Sequence, residues 1–115
     1  MKVLENKNAV ITGGSDGIGL GIAKAFAQNG ANLLLIGKHP NKLQKAKEEL
    51  LSEFSVLVHT LAADLSATEN ISEIRQAILR VFPSLDVLIN NAGLGKFVPF
   101  DQVDSSLYDM HFNLN

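Results

Sequence analysis

The stretch from Thr12 to Gly19, which reads TGGSDGIG, constrains this chain more than any other feature. It joins an apolar run, Ala9 to Ile11, to a segment with helical spacing. This order predicts a strand, a glycine-rich turn and the first turn of a helix. Glycine permits positive φ and close approach of a ligand, and the first amides of a helix lack carbonyl partners. The turn therefore predicts an anion site of the kind that holds a dinucleotide pyrophosphate in doubly wound α/β folds.

The glycine spacing in this turn is TGxxxGxG rather than the common GxGxxG, and a second element, NNAG at residues 90–93, follows a later apolar run. Either element alone also fits an ordinary turn. Together, and in this order, they resemble the fingerprint of the short-chain dehydrogenase/reductase family. The resemblance extends from about Lys7 to Asn113 and covers nearly the whole chain.

Short apolar runs alternate with helical spacing along the chain, which is typical of repeated βα units on a parallel sheet. The predicted strands contain Ala9–Ile11, Leu33–Ile36, Val56–Leu61 and Val87–Ile89. The predicted helix stripes are Ile18, Ile22, Ala25 and Phe26, then Leu43, Ala46, Leu50 and Leu51, then Ile71, Ile74, Ile78 and Val81. We predict an α/β fold, a Rossmann-like three-layer domain over residues 1–115. Right-handed crossovers place its strands in the order 3-2-1-4.

The predicted ends of the helices follow from glycine, proline and capping residues. Gly30 follows the first helix, Pro40 opens the second and Pro83 ends the third. Ser66 with Glu69 forms a possible capping box for the third helix, and residues 104–106 are a candidate cap for a fourth.

The resemblance also implies that the catalytic half of the family is missing. The family places a serine and a Tyr-x-x-x-Lys motif around its fifth strand, whereas Tyr108 of this chain is followed by Phe112 four residues later. We therefore expect a partial fold, ending before strand 5, that is inactive alone. We also expect self-association through the exposed edge of strand 4.

Composition excludes several other classes of protein. The chain has 115 residues, 46% hydrophobic content, a net charge of −2 and no cysteine, which predicts one globular domain without disulfides or thiolate metal sites. Basic residues do not cluster with aromatic ones, so we expect no nucleic-acid partner. Without a membrane-length apolar run or a signal peptide, we expect no membrane partner and a cytoplasmic location. The three histidines lack metal-ligand spacing, so we expect no metal site.

The resemblance assigns a nicotinamide dinucleotide to a set of residues at the predicted strand ends. These are Gly13, Ser15, Asp16, Gly17, Ile18, Gly19, Lys38, Asp64, Asn91, Ala92 and Gly93. Lys38 follows Gly37, which occupies the position where an acidic residue would repel a 2′-phosphate, so the resemblance implies NADP(H) rather than NAD(H). A solvated surface lysine is the alternative. Asp16 counts against NADP(H), because some NADP-dependent relatives have a basic residue there.

Five polar residues are assigned further roles. Asp64 matches an aspartate that accepts a hydrogen bond from the adenine amino group, although a cap for the turn before the third helix fits as well. Asn91 would face the nicotinamide-side ribose, with Asn90 tying neighbouring strands and Thr12 bonding locally. Asn113 resembles the asparagine that holds a water in the family's proton relay. Its alternative is a polar residue near a frayed end.

The resemblance implies an oxidoreductase that moves hydride between nicotinamide C4 and the carbonyl or alcohol carbon of a small-molecule substrate. General acid catalysis in the intact family comes from the absent tyrosine and lysine. The alternative is a non-catalytic nucleotide-binding or assembly protein that acts as this short chain.

Overall fold

The computed structural model describes residues 2–15, 17–64 and 71–91. Strands and helices alternate in the order β1 (Asn8–Thr12), α1 (Gly17–Gln28), β2 (Asn32–Gly37), α2 (Pro40–Glu53), β3 (Val58–Ala62), α3 (Ile71–Val81) and β4 (Val87–Asn90). All strand pairs are parallel, and their spatial order is β3-β2-β1-β4. The predicted Rossmann-like sheet and its strand order are confirmed. In this sheet β3 and β4 form the edges, and self-association through β4 stays a prediction.

Two apolar clusters cover opposite faces of the sheet. One contains Leu33 and Leu35 of β2 and packs against α1 and α2, whereas the other contains Leu34 and Ile36 and packs against α3. Successive side chains of a strand point to opposite faces, so a strand buried on both sides needs a continuous apolar run. This is why β1 and β2 have no alternation of apolar and polar residues.

The predicted stripe of α1 is partly right, because Ile22 and Phe26 are half-buried and pack against the core. Ile18 is 75% exposed and Ala25 is also exposed, whereas the buried residues are Gly19, Ala23 and Ala27. The small residues face the sheet because they let the helix backbone approach it closely, and a search for large apolar side chains does not detect such a face. The prediction for α3 holds better, since Ile74 and Ile78 are buried.

The element boundaries mostly follow the predicted residues. Gly30 has φ +93° after α1, Pro40 is at the start of α2, and α3 ends two residues before Pro83. Two details differ: β3 starts at Val58 rather than at residue 56, and Leu51 of α2 is 47% exposed. The predicted caps at residues 66–69 and 104–106 lie outside the described residues.

Asparagine side chains tie the amino ends of the strands together. Asn8 Nδ2 donates to the carbonyl oxygen of Ser84 at 2.8 Å, and Asn32 Nδ2 donates to Asn8 Oδ1 at 3.3 Å. The backbone N–H of Leu57 then donates to Asn32 Oδ1 at 3.1 Å. In addition, Asp86 Oδ2 accepts from the N–H of Asn8 at 2.9 Å. This chain of bonds spans the sheet from β4 to β3 and stabilises its register.

We expect Asn32→Ala to lower the free energy of unfolding by about 1–2 kcal/mol, because it removes two hydrogen bonds that join three strands. Asn29→Ala is the matched control, since the Asn29 side chain donates only to the nearby Ala25 carbonyl at the surface, and we expect a cost below about 0.5 kcal/mol. Urea denaturation measures both values. Equal costs for the two variants would contradict a role for the asparagine chain.

An ion pair between Lys24 Nζ and Glu49 Oε2 joins α1 to α2. The hydrogen bond to Glu49, together with the charges of Glu49 and Glu53, raises the pKa of Lys24 above its usual value of 10.5, against the opposing effect of desolvation. The pKa of Lys24 is therefore higher in the folded protein than in the unfolded one. The contribution of the ion pair to the free energy of unfolding is complete below the unfolded-state pKa, and it is lost as the pH rises through the folded-state pKa. Because both side chains are substantially exposed, the effect is small.

We therefore expect wild type to be slightly more stable than Lys24→Met at pH 9, with a difference that shrinks above pH about 10.5 as Lys24 loses its proton. Chemical denaturation at a series of pH values measures it, and Lys45→Met, in the exposed part of α2, controls for the loss of a surface charge. A difference that stayed constant across this range would show that the Lys24 charge contributes nothing.

Candidate cofactor site

The carboxyl ends of the parallel strands bring most of the predicted site residues to one edge of the sheet. Thr12 ends β1, Lys38 follows β2, and Asn90 ends β4. The chain leaves β1 through α1 on one face and reaches β4 from α3 on the other. The carboxyl ends of β1 and β4 are therefore the switch point at which open α/β sheets bind ligands.

The glycine turn after β1 has the conformation and the space that an anion needs. Gly13 and Gly17 have positive φ, +66° and +58°, which side chains rarely adopt. A Cβ built on Gly17 would meet no atom within 4 Å among the residues that the structure describes, so these residues leave the backbone open at the start of α1. The first turn of this helix contains no acidic residue, and its amides lack intrahelical acceptors. The turn therefore fits the pyrophosphate of a dinucleotide.

Gly19 is needed for packing within the turn rather than for access of a ligand. A Cβ on Gly19 would lie 1.8 Å from the carbonyl oxygen of Gly13 and 2.9 Å from Asn91 Nδ2. The turn folds back over the first turn of α1, and only a residue without a side chain leaves room for it. Gly19 is part of the TGxxxGxG pattern, but only the structure shows that the close approach of the Gly13 carbonyl requires a glycine there.

Hydrogen bonds from β4 hold the turn and the end of β1. Thr12 Oγ1 donates to Asn90 Oδ1 on the neighbouring strand at 3.0 Å, and the local bond of Thr12 stays a prediction. The bond between Thr12 and Asn90 agrees with the strand-tying role predicted for Asn90. Asn91 Nδ2 donates to the carbonyl oxygen of Gly13 at 3.4 Å. The sequence reasoning missed this contact, since nothing in the spacing of residues shows which side chain reaches the turn.

The glycine turn and the end of β2 lie side by side. Ser15 Oγ is 3.7 Å from the point where a Cβ of Gly37 would be, so Ser15 lies next to the residue before Lys38. Lys38 is exposed, and Ile18 projects into solvent at the start of α1. The structure thus brings the turn and the predicted phosphate-selecting lysine to one region.

Asp64 lies two residues beyond β3 and is exposed. With Glu73 and Arg80 of α3, it lines an open groove of about 430 Å³. This position agrees with both predicted roles, the adenine contact and the turn before α3. Asp16, Ala92, Gly93 and Asn113, the other predicted site residues, lie outside the described residues.

Of the two described histidines, His59 packs against an aromatic ring and His39 precedes α2. The ring of His59 meets the ring of Phe82 edge-on at 5.7 Å, as strand packing predicts, and His39 is the exposed residue before α2. His111 lies outside the described residues. Within residues 2–15, 17–64 and 71–91, no group of His, Asp and Glu side chains has the arrangement of a metal site. None of the helices in these ranges combines the length and apolar character required to cross a bilayer.

Comparison with known proteins identifies the family. A family model described as short chain dehydrogenase matches residues 7–115. This chain belongs to the short-chain dehydrogenase family. The resemblance predicted from the glycine turn and the NNAG element is thereby confirmed, and with it membership of a family of oxidoreductases that bind nicotinamide cofactors.

Among curated relatives, 12alpha-hydroxysteroid dehydrogenase from a Clostridium species is 42% identical over 98 residues, which cover 80% of this short-chain dehydrogenase and 38% of the relative. The 3-oxoacyl-[acyl-carrier-protein] reductase of Chlamydia muridarum is 38% identical over 92 residues, with coverage of 80% and 37%.

Among solved structures, L-sorbose reductase from Gluconobacter frateurii, complexed with NADPH and L-sorbose, has a TM-score of 0.75 and 37% identity, covering 84% of this chain and 37% of that one. A metagenomic short-chain oxidoreductase in complex with NADP has a TM-score of 0.73 and 34% identity, with coverage of 82% and 42%. This short-chain dehydrogenase spans less than half the length of these relatives.

We expect Gly19→Ala to destabilise this short-chain dehydrogenase by about 3 kcal/mol, because the new methyl group overlaps the Gly13 carbonyl and has to displace the turn. Gly21→Ala is the matched control: it lies in the same helix, where a Cβ meets no atom within 4 Å. Alanine there stabilises a helix by about 0.5–1 kcal/mol. Thermal and urea unfolding measure both effects. Similar behaviour of the two variants would refute the close packing at Gly19.

Proposed function

We propose that this protein is an NADP(H)-dependent oxidoreductase of the short-chain type, which transfers hydride between the nicotinamide and the carbonyl or alcohol carbon of a small molecule. The observation that carries the proposal is the open glycine turn at the start of α1, placed beside Lys38 at the end of β2. The residues proposed to hold the cofactor are Gly13, Ser15, Asp16, Gly17, Ile18, Gly19, Lys38, Asp64, Asn91, Ala92 and Gly93.

The pyrophosphate is proposed to lie at the amino end of α1. The positive φ of Gly17 and the open space around its Cα allow phosphate oxygens to approach backbone amides. Those amides form the positive end of the helix dipole, which favours a bound anion. The exposed Ile18 side chain, at the same point of the chain, would then cover an apolar part of the cofactor.

The 2′-phosphate of NADP(H) is proposed to pair with Lys38. Gly37 has no side chain to repel a phosphate, and Ser15 Oγ lies beside it as a further donor. The exposed ammonium group of Lys38 supplies the positive charge at this end of β2. NADPH and NADP in the complexes of L-sorbose reductase and the metagenomic oxidoreductase support the preference.

In the proposed reaction the bound cofactor supplies or accepts a hydride at its nicotinamide ring. The residues of this chain bind and orient the cofactor: the turn holds the phosphates, Lys38 selects the nucleotide, and Asp64 accepts a hydrogen bond from the adenine. Asn91 and Gly93 are proposed to position the nicotinamide-side ribose, and Asn113 a water for proton transfer. The names of the relatives mention a hydroxysteroid, a 3-oxoacyl group and L-sorbose, which share only an alcohol or carbonyl carbon. We therefore propose alcohols and carbonyl compounds as the class of substrate.

We expect the intact protein to bind NADPH more tightly than NADH, and Lys38→Asp to weaken NADPH binding by about 10–100-fold, because a charge-assisted contact is replaced by repulsion. The affinity for NADH should change little, since it has no 2′-phosphate. Calorimetric titration of both cofactors measures the four affinities. Lys45→Asp makes the same charge change on the exposed part of α2 and is the control.

Equal affinities of wild type and Lys38→Asp for NADPH would remove the proposed role of Lys38. Binding of NADPH by the intact protein without turnover of any alcohol, aldehyde or ketone would contradict the oxidoreductase proposal and favour a nucleotide-binding protein instead.

A further inference from the structure

Gly13 is held from two neighbouring strands. The N–H of Gly13 donates to the carbonyl oxygen of Ile36 on β2 at 2.7 Å. The carbonyl oxygen of the same residue accepts from Asn91 Nδ2, just beyond β4, at 3.4 Å. The turn is therefore positioned relative to both strands that flank β1.

That carbonyl belongs to the peptide that joins Gly13 to Gly14, which can rotate easily. It lies between two glycines, which have no Cβ to restrict their torsions, and Gly13 already has φ +66°. The observed orientation directs the carbonyl oxygen toward the backbone of Gly19 in α1. Because N–H and C=O of a trans peptide point in opposite directions, the N–H of Gly14 faces away from Gly19.

Rotation of this peptide would change the charge that the turn presents. A carbonyl oxygen carries partial negative charge, so an outward carbonyl would oppose an anion near the amino end of α1. A donor that holds the carbonyl against the helix therefore favours the anion-binding form of the turn. The amide group of Asn91 is such a donor, and it comes from a strand other than the one that carries the turn.

We propose that Asn91 is a positioning residue that locks the Gly13–Gly14 peptide in the orientation competent to bind a dinucleotide pyrophosphate. The inference rests on the proposed function, because it takes the turn as the pyrophosphate site. It assigns the side-chain amide of Asn91 a role in preorganising the turn, separate from any contact of this residue with the cofactor. The hydrogen bond from Asn91 would affect only binding of the pyrophosphate, which NADPH and NADH share. It would therefore leave the preference between the two cofactors unchanged.

The adjacent asparagine provides a matched test. In Asn91→Asp a carboxylate replaces the donor opposite the Gly13 carbonyl, whereas in Asn90→Asp a carboxylate keeps an oxygen that accepts from Thr12. Both variants add one negative charge at the same edge of the sheet. We expect Asn91→Asp to weaken binding of NADPH and NADH equally, and about tenfold more than Asn90→Asp does.

The structural readout is the pair of backbone amide signals of Gly13 and Gly14, observed by NMR of the intact protein labelled with ¹⁵N-glycine, without cofactor. We expect both to shift and exchange faster in Asn91→Asp and to stay near their wild-type positions in Asn90→Asp. If Asn91→Asp does not fold, Asn91→Ala removes the donor without adding charge and should give the same pattern.

Equal losses of affinity in the two aspartate variants, or unchanged glycine signals in Asn91→Asp and Asn91→Ala, would overturn the lock. A change in the NADPH-to-NADH preference of the Asn91 variants would also count against it. If wild type binds neither cofactor, the proposed function fails, and the glycine signals still decide whether Asn91 holds the peptide.

Discussion

Burial of β1 and β2 on both faces is the constraint on which the rest of this structure depends. Ile11, Leu34 and Ile36 are among the side chains with no exposed surface. Burying one such side chain contributes about 1.5–3 kcal/mol, so both faces of the sheet have to be covered. The right-handed crossovers supply that cover, with α1 and α2 on one face and α3 on the other. The reversal from one face to the other makes the carboxyl ends of β1 and β4 the switch point of the sheet.

Polar side chains have different roles at the amino and carboxyl ends of the strands. At the amino ends, the side chains of Asn8 and Asn32 form hydrogen bonds with each other and with the segments before β4 and β3. These bonds stabilise the register of the strands. At the carboxyl ends, Thr12 bonds to Asn90 and the Asn91 side chain bonds to the backbone of Gly13. These bonds hold the glycine turn, whose backbone is open at Gly17 among the described residues. The polar residues at the amino ends thus stabilise the fold, and those at the carboxyl ends hold a backbone conformation suited to a ligand.

Much of the fold and of the candidate site could be predicted because apolar runs, glycines and prolines act locally. The continuous runs predicted four parallel strands, and TGxxxGxG predicted a turn with open helix amides. The prediction failed where small residues make the contact: Gly19, Ala23 and Ala27 form the buried face of α1, whereas Ile18 is exposed. It also missed the bond from Thr12 to Asn90, which is 78 positions away in the sequence. Periodicity reports the size and spacing of side chains but not how closely two backbones approach.

The sequence by itself determined the class of fold, the strand order and the position of the glycine turn, because each follows from burial and from torsions within a few residues. Only the tertiary structure decided what holds that turn. The contacts of Gly13 with Ile36, Gly19 and Asn91 bring together residues from β2, α1 and the end of β4. Such contacts depend on the register of parallel strands and on the depth to which α1 packs, and both are settled only when the whole sheet has formed.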